Sequence, residues 1–176
     1  GTIINNQTYY IQLEKGSQAT EYQPYNGAIV HEKDIQKSEF SATLLATFTP
    51  QELSTYFAVP FDSVVSASGN KISLDTATGR IKINDASVRL LKISWNFAMY
   101  GTYTPNIYGR IRGSISGDYG SYAINNVSIQ GNFNLGCPPR IIEVQNSEDV
   151  WLEFYTNTEG VNLNAKQTYI TVEVVE

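Results

Sequence analysis

Cysteine, histidine and charge are what this 176-residue chain has least of, and each scarcity closes off some chemistry. Cys137 is the single cysteine, so no internal disulfide can form. His31 is the single histidine, which excludes a Cys2His2 zinc centre and leaves one residue to serve any Ser-His-Asp triad. It lies in the polar segment "VHEKDIQKSE", where a solvated linker residue is the simpler reading. Cys137 precedes Pro138 and Pro139 and reads as a small buried group in a turn. Charged residues make up 16% of the chain, below the ~25% usual in globular domains. Asn, Ser, Thr, Gln and Tyr must therefore carry much of the polar surface. The net charge is -5, and the twelve Lys and Arg residues form no run, so the basic footprint of a nucleic-acid binder is missing. No apolar run approaches the ~20 residues of a membrane-spanning helix, and no membrane insertion is expected. No nucleophile elbow, phosphate-binding loop or metal-spaced His cluster occurs, so neither cofactor nor metal is expected. Asp75, Asp85 and Asp118 fall in turns, where turn chemistry accounts for them without a metal.

Helical periodicity is scarce as well. One polar helix is expected over residues 30–39, and a helical turn at "PQEL", after Pro50. Elsewhere the chain alternates with a period of two or carries turn residues, the pattern of an all-β sandwich or barrel. Strands are expected over residues 8–13, 40–48 and 57–65, the last broken around Pro60. A hairpin follows in "NKISLDTATGRIKIN", then a long strand over 88–99 with Leu91, Ile93, Trp95 and Phe97 on one face. Residues 107–116 form the next, where Gly109 and Gly113 mark bulges or a close backbone approach. The remaining strands cover 122–135, 140–144, 149–155 and 168–175. The last, "TYITVEVV", has the composition of a central strand.

From residue 40 onward the chain resembles the C1q/TNF-like jelly roll, on the stretches "NKISLDTATGRIKIN", "VRLLKISWNF" and "QTYITVEVVE". The family places a strand pair before a long central strand and closes on an apolar strand. Near the start, "YYIQLEKGSQATEYQPYNG" resembles the closing strand of carbohydrate-binding-like modules in bacteriophage tail and baseplate proteins. Ile11, Gln12, Leu13, Glu14, Gly16, Ala19, Thr20, Tyr22, Pro24 and Tyr25 carry that likeness. The two resemblances together imply three segments. Residues 1–27 end a preceding module, 28–39 form a neck, and 40–176 form a jelly-roll head. The chain opens on Gly1 with no signal-peptide pattern, so a processed or excised piece is expected. The implied protein is a phage receptor-binding protein at the tail tip or baseplate of the virion. It would adsorb to the host through a cell-surface saccharide, as a homotrimer beside other baseplate and tail proteins. The alternative is a trimerisation or assembly domain with no glycan site.

Sugars offer C–H faces to aromatic rings and hydroxyls to Asn, Asp and Arg. The aromatic-rich stretch 95–122 therefore supplies the saccharide-binding candidates: Tyr100, Tyr103, Asn106, Tyr108, Arg110, Arg112, Asp118, Tyr119 and Tyr122. Arg110 and Arg112 alternate on one face and are also suited to an anionic phosphate. For each of these residues, ordinary packing or ion pairing on a sheet surface is the competing reading. Trp95 reads as core. Trp151, opposite Val150, Leu152 and Phe154, reads as a trimer contact or a surface platform, the contact being favoured. The protein is not expected to be an enzyme. Glycoside cleavage needs two carboxylates that meet in space. Glu148, Asp149 and Glu153 are close in sequence, but an exposed charged loop accounts for them, and a depolymerase ranks last.

Overall fold

A computed structural model describes residues 37–125 and 128–175. The chain divides between Ile35 and Gln36, and the second unit, Gln36–Glu176, is the one described below. The expected first strand, module end and most of the neck lie outside the described residues. Of the helix expected over 30–39, only the last three residues are described. Glu39 there begins a strand, and Ser38 is buried, with its carbonyl accepting from Val174 N–H.

The described residues fold as β1 (Glu39–Thr43), β2 (Tyr56–Ala58), β3 (Ser63–Ser68), β4 (Ile72–Asp75), β5 (Arg80–Ile83), β6 (Leu90–Tyr103), β7 (Ile107–Gly113), β8 (Gly117–Ile124), β9 (Ile129–Glu143), β10 (Asp149–Thr156) and β11 (Tyr169–Val175). Sheet one runs β3-β1-β11-β6-β9, and sheet two runs β4-β5-β10-β7-β8, with β2 also paired to β10. Every pairing is antiparallel. The pairings nest. The outer strands β1 and β11 pair, then β5 with β10, β6 with β9, and innermost β7 with β8, the pairs falling alternately in the two sheets. A long double ribbon rolled in this way is a jelly roll, and the outcome agrees with the all-β sandwich expected from the alternation.

One face of each strand fills the space between the sheets. Leu91, Ile93, Trp95, Phe97 and Met99 of β6 are buried there, with Val150, Leu152 and Phe154 of β10 and Ile170, Val172 and Val174 of β11. The closing strand is central as expected, with β1 on one side and β6 on the other. An aromatic seam crosses the sandwich. Trp95 and Phe97 lie 4.3 Å apart between ring centroids, and Phe97 meets Phe154 edge-on at 5.1 Å. Gly109 makes this possible, because a β-carbon there would land on the Trp95 ring. The glycine marks a close approach between sheets rather than a bulge.

Several expected elements are redrawn. The single strand over 122–135 is two strands. Tyr122 and Ile124 belong to β8 in sheet two, whereas Ile129 and Phe133 belong to β9 in sheet one, so the chain changes layer between them. The separate strand over 140–144 is the continuation of β9. The pairing of β9 with β6 slips by one residue between Ile93↔Arg140 and Trp95↔Cys137. Pro138 and Pro139 occupy that bulge, where proline's missing N–H leaves no ladder bond unmade. The extra residue reverses the inward face, so Cys137 and Leu135 are buried on one side of the bulge and Ile142 and Val144 on the other. Ile141 is left 61% exposed, and Cys137 sits in a strand rather than in a turn. The strand over 40–48 ends at Thr43, after which Phe48 makes an isolated bridge to Leu163. The "PQEL" segment forms bends and a turn without helix, and Ile115 turns out into solvent beyond β7.

Candidate functional site

The outer face of sheet two carries the densest set of aromatic and charged side chains. It is built by register. Tyr155 of β10 lies opposite Tyr56 of β2 on one side and Tyr108 of β7 on the other. Because β10 buries Val150, Leu152 and Phe154, period-two alternation turns Trp151, Glu153 and Tyr155 outward. The three tyrosines form one row. Tyr155 is 5.1 Å from each neighbour between ring centroids, tilted against Tyr56 and edge-on to Tyr108. All three rings are half-buried, so each packs against the sheet and keeps a free surface. The Tyr108 hydroxyl donates to Asn125 Oδ1 at 2.8 Å.

One residue pair along, Arg110 faces Glu153. Its Nε donates to Glu153 Oε2 at 2.7 Å, and Nη2 donates to the same oxygen. Nη1 stands 3.5 Å from Asp118 Oδ2, and the guanidinium lies 3.7 Å above the Tyr56 ring. Arg110 is thus committed to holding the tyrosine row in place and is not free to grip an anion. Glu153 also accepts from Trp151 Nε1 at 2.9 Å, and Arg80 covers the Trp151 ring at 4.3 Å. Asp149 receives Lys82 Nζ at 2.6 Å. Arg112, opposite Trp151, differs from Arg110: its buried Nε has no hydrogen-bond partner. An acceptor oxygen brought to this face by a ligand would satisfy it.

The nine saccharide candidates are dispersed by the fold. Tyr108, Arg110, Arg112 and Asp118 meet on the outer face of sheet two. Tyr119 points its hydroxyl at Glu148 Oε2 at 2.6 Å, and burial, then that bond, push its pKa up to about 12. Tyr122 packs edge-on to Trp95 at 6.2 Å, on the core side of β8. Tyr100 is 66% exposed on the outer face of sheet one. The Tyr103 hydroxyl donates to Gly160 O at 2.8 Å, and Asn106 N–H donates to Asn157 Oδ1 at 2.8 Å, both at the loop between β10 and β11. Trp151 lies half-buried beneath Arg80, separated from the tyrosine row by the Glu153–Arg110 pair. The saccharide candidates drawn from the sequence did not include Tyr56, Glu153 and Tyr155. The alternation in β10 was visible and would have turned Glu153 and Tyr155 outward, but nothing local brings Tyr56 beside them.

The carboxylates do not form an exposed charged loop. Glu148 is fully buried and accepts from Ile115 N–H, Ser116 N–H, Ser116 Oγ, Tyr119 Oη and Gln145 N–H at 2.6–3.2 Å. Burial alone would raise its pKa, but the Tyr119 hydroxyl and the backbone donors outweigh burial and hold it below the usual carboxylate range. Gly113 leaves the room, since a β-carbon there would meet Glu148 Oε1. Glu148 is therefore the clasp of the β7–β8 turn. Burial also pushes the Cys137 thiol up, which keeps it unreactive. Among the described residues no cluster of His, Cys, Asp and Glu suits a metal ion.

Taken together, the nested pairing and the two layers of five and six strands make this unit a C1q/TNF-like jelly roll. Crystal structures of murine APRIL at pH 5.0 and pH 8.0 follow the same course, with TM-scores of 0.57 and 0.55 at 9% and 8% identity. Each alignment covers 79% of this chain and 99% of the APRIL chain. At that identity the likeness concerns the fold alone, and function has to be argued from the site. No family model matches the chain, and no curated protein matches it either.

Proposed function

We propose that this chain is the head of a phage receptor-binding protein, binding a bacterial cell-surface saccharide without catalysis. The observation that carries the reading is the row Tyr56–Tyr155–Tyr108, three half-buried rings in register across three strands of one open face. Such a row offers stacking surfaces to successive sugar C–H faces, and Asn125, Asp118 and the unpartnered Arg112 Nε stand beside it for hydroxyls. The resemblance of residues 9–27 to phage tail modules supplies the setting, a virion tail tip or baseplate. The non-catalytic reading is supported by the three carboxylates close in sequence, Glu148, Asp149 and Glu153, each already engaged. Glu148 holds a turn, Glu153 holds Arg110 and Trp151, and Asp149 holds Lys82.

Self-association as a homotrimer belongs to the same proposal. Tyr100, Ile141 and Tyr169 stand 66%, 61% and 48% exposed on the outer face of sheet one, apolar surface of the kind subunit contacts cover. Several weak sites on one trimer multiply into useful avidity. The second reading, an assembly domain without a glycan site, draws on that same exposed surface.

Titration with cell-wall polysaccharides from a panel of bacteria tests the proposal. At least one should bind, and Tyr155→Ala, which removes the middle ring of the row, should weaken that binding at least tenfold, or ~1.4 kcal/mol. Trimers that bind no polysaccharide would favour the assembly reading instead.

A further inference from the structure

The tyrosine row does not account for every feature suited to a ligand. Where the loop before β2 meets the end of β10 and the loop after it, residues 49–53, 156 and 158–162 line a cleft of about 470 Å³. That is within the ~300–1,000 Å³ of small-molecule sites. Its frame is fixed before any ligand arrives. Phe48 and Leu163 exchange both backbone hydrogen bonds, at 3.0 and 2.9 Å, and Ser54 N–H donates to Thr156 O at 2.9 Å. Thr158 N–H donates to Thr156 Oγ1 at 3.1 Å, and Tyr103 Oη ties down Gly160.

The lining has a definite chemistry. Among the described residues, Glu52 and Glu159 are its charged ones, and no lysine or arginine lines it. Threonine hydroxyls and side-chain amides make up most of the rest, and Leu53, 48% exposed, adds an apolar surface at the rim. Asn162 lines the cleft too, and its Oδ1 is buried with no hydrogen-bond partner. A buried acceptor left unpaired carries its full desolvation cost, which a hydroxyl donor from a ligand would relieve. A mixed polar and apolar lining with two carboxylates and, among the described residues, no cation disfavours anions and suits a ligand that carries both C–H faces and O–H donors.

We propose that this cleft is a second saccharide subsite, taking one uncharged sugar unit. Asn162 Oδ1 accepts a sugar hydroxyl, Leu53 meets the C–H face, and Glu52 and Glu159 exclude acidic sugars. The proposal rests on the saccharide-binding reading above and adds to it a place and a charge preference. Thr156, which lines the cleft, directly follows Tyr155 on β10, but the alternation of the strand turns the two side chains to opposite faces, so the cleft is separate from the tyrosine row.

The test uses the full chain and the methyl glycosides of glucose, galactose and N-acetylglucosamine, with glucuronate as the acidic probe and calcium chloride as the cation probe. Wild type should bind at least one neutral glycoside and not glucuronate. Asn162→Ala should weaken that glycoside at least tenfold, and Glu159→Gln should admit glucuronate. Glu159 is exposed, so its variant keeps the test decisive even if Asn162→Ala fails to fold. If polysaccharide binds but no neutral glycoside does, or if the glycosides bind Asn162→Ala and Glu159→Gln as they bind wild type, the cleft proposal falls and the tyrosine row stands. If no saccharide binds at all, both fall. Calcium binding that is lost in Glu159→Gln, without any glycoside effect, would overturn the subsite and make the cleft a cation site.

Discussion

Glu148→Ala should lower the stability of the folded domain by about 3–5 kcal/mol, because several part-buried donors lose a charged acceptor, and hydrogen bonds to charged groups are worth ~1.5–3 kcal/mol each. The part-buried N–H groups of Ile115, Ser116 and Gln145 would lose their charged acceptor, and the Tyr119 hydroxyl would lose its 2.6 Å partner. Urea unfolding monitored by tryptophan fluorescence measures the loss. A change below about 1 kcal/mol would mean that water replaces the carboxylate and that the turn does not depend on it. The same residue gives the protein an acid limb. Its folded pKa is depressed, so its contribution is fully present above the unfolded carboxylate value of ~4.3 and is lost as the pH falls through the folded value. Glu148→Gln should therefore be less stable than wild type at neutral pH, and the gap should close below that window. A gap that stays constant down to low pH would contradict the assignment.

Gly109→Val should be at least as damaging, by about 3 kcal/mol or more, since overpacking in a filled core costs ~1–3 kcal/mol and branched carbons here meet a rigid ring. The first added carbon falls on the Trp95 indole, which is already held between Phe97 and Tyr122. The control is Gly136→Ala, where an added carbon would meet only Asn96 Oδ1, at an ordinary 3.8 Å. Thermal unfolding should show a large fall in Tm for the first and almost none for the second. Equal effects would mean that the two sheets can part to admit the side chain.

Local pattern carried much of the fold. The alternation of β6 and β10 foretold which side chains fill the core, because a strand buried on one face has a period of two regardless of what it pairs with. The change of layer between Ile124 and Ile129 was not legible, because both flanking strands alternate and nothing in the apolar pattern marks a corner. Pro138 and Pro139 looked like an interruption, although a bulge lets a strand pass through them. For the site, the stretch 95–122 supplied Tyr108, Arg110 and Arg112. Their partners Tyr56, Glu153 and Tyr155 come from distant strands, and long-range register is what sequence spacing does not encode. Glu148 was misplaced for the same reason: a glutamate beside an aspartate in a loop looks solvated until the β7–β8 turn closes over it.

The most direct test is a crystal structure of the full chain soaked with cell-wall saccharide from a strain whose polysaccharide it binds. Sugar density should lie along Tyr56, Tyr155 and Tyr108, with an acceptor oxygen within hydrogen-bond reach of Arg112 Nε. Sugar bound only on the outer face of sheet one, with the tyrosine row bare, would contradict the account.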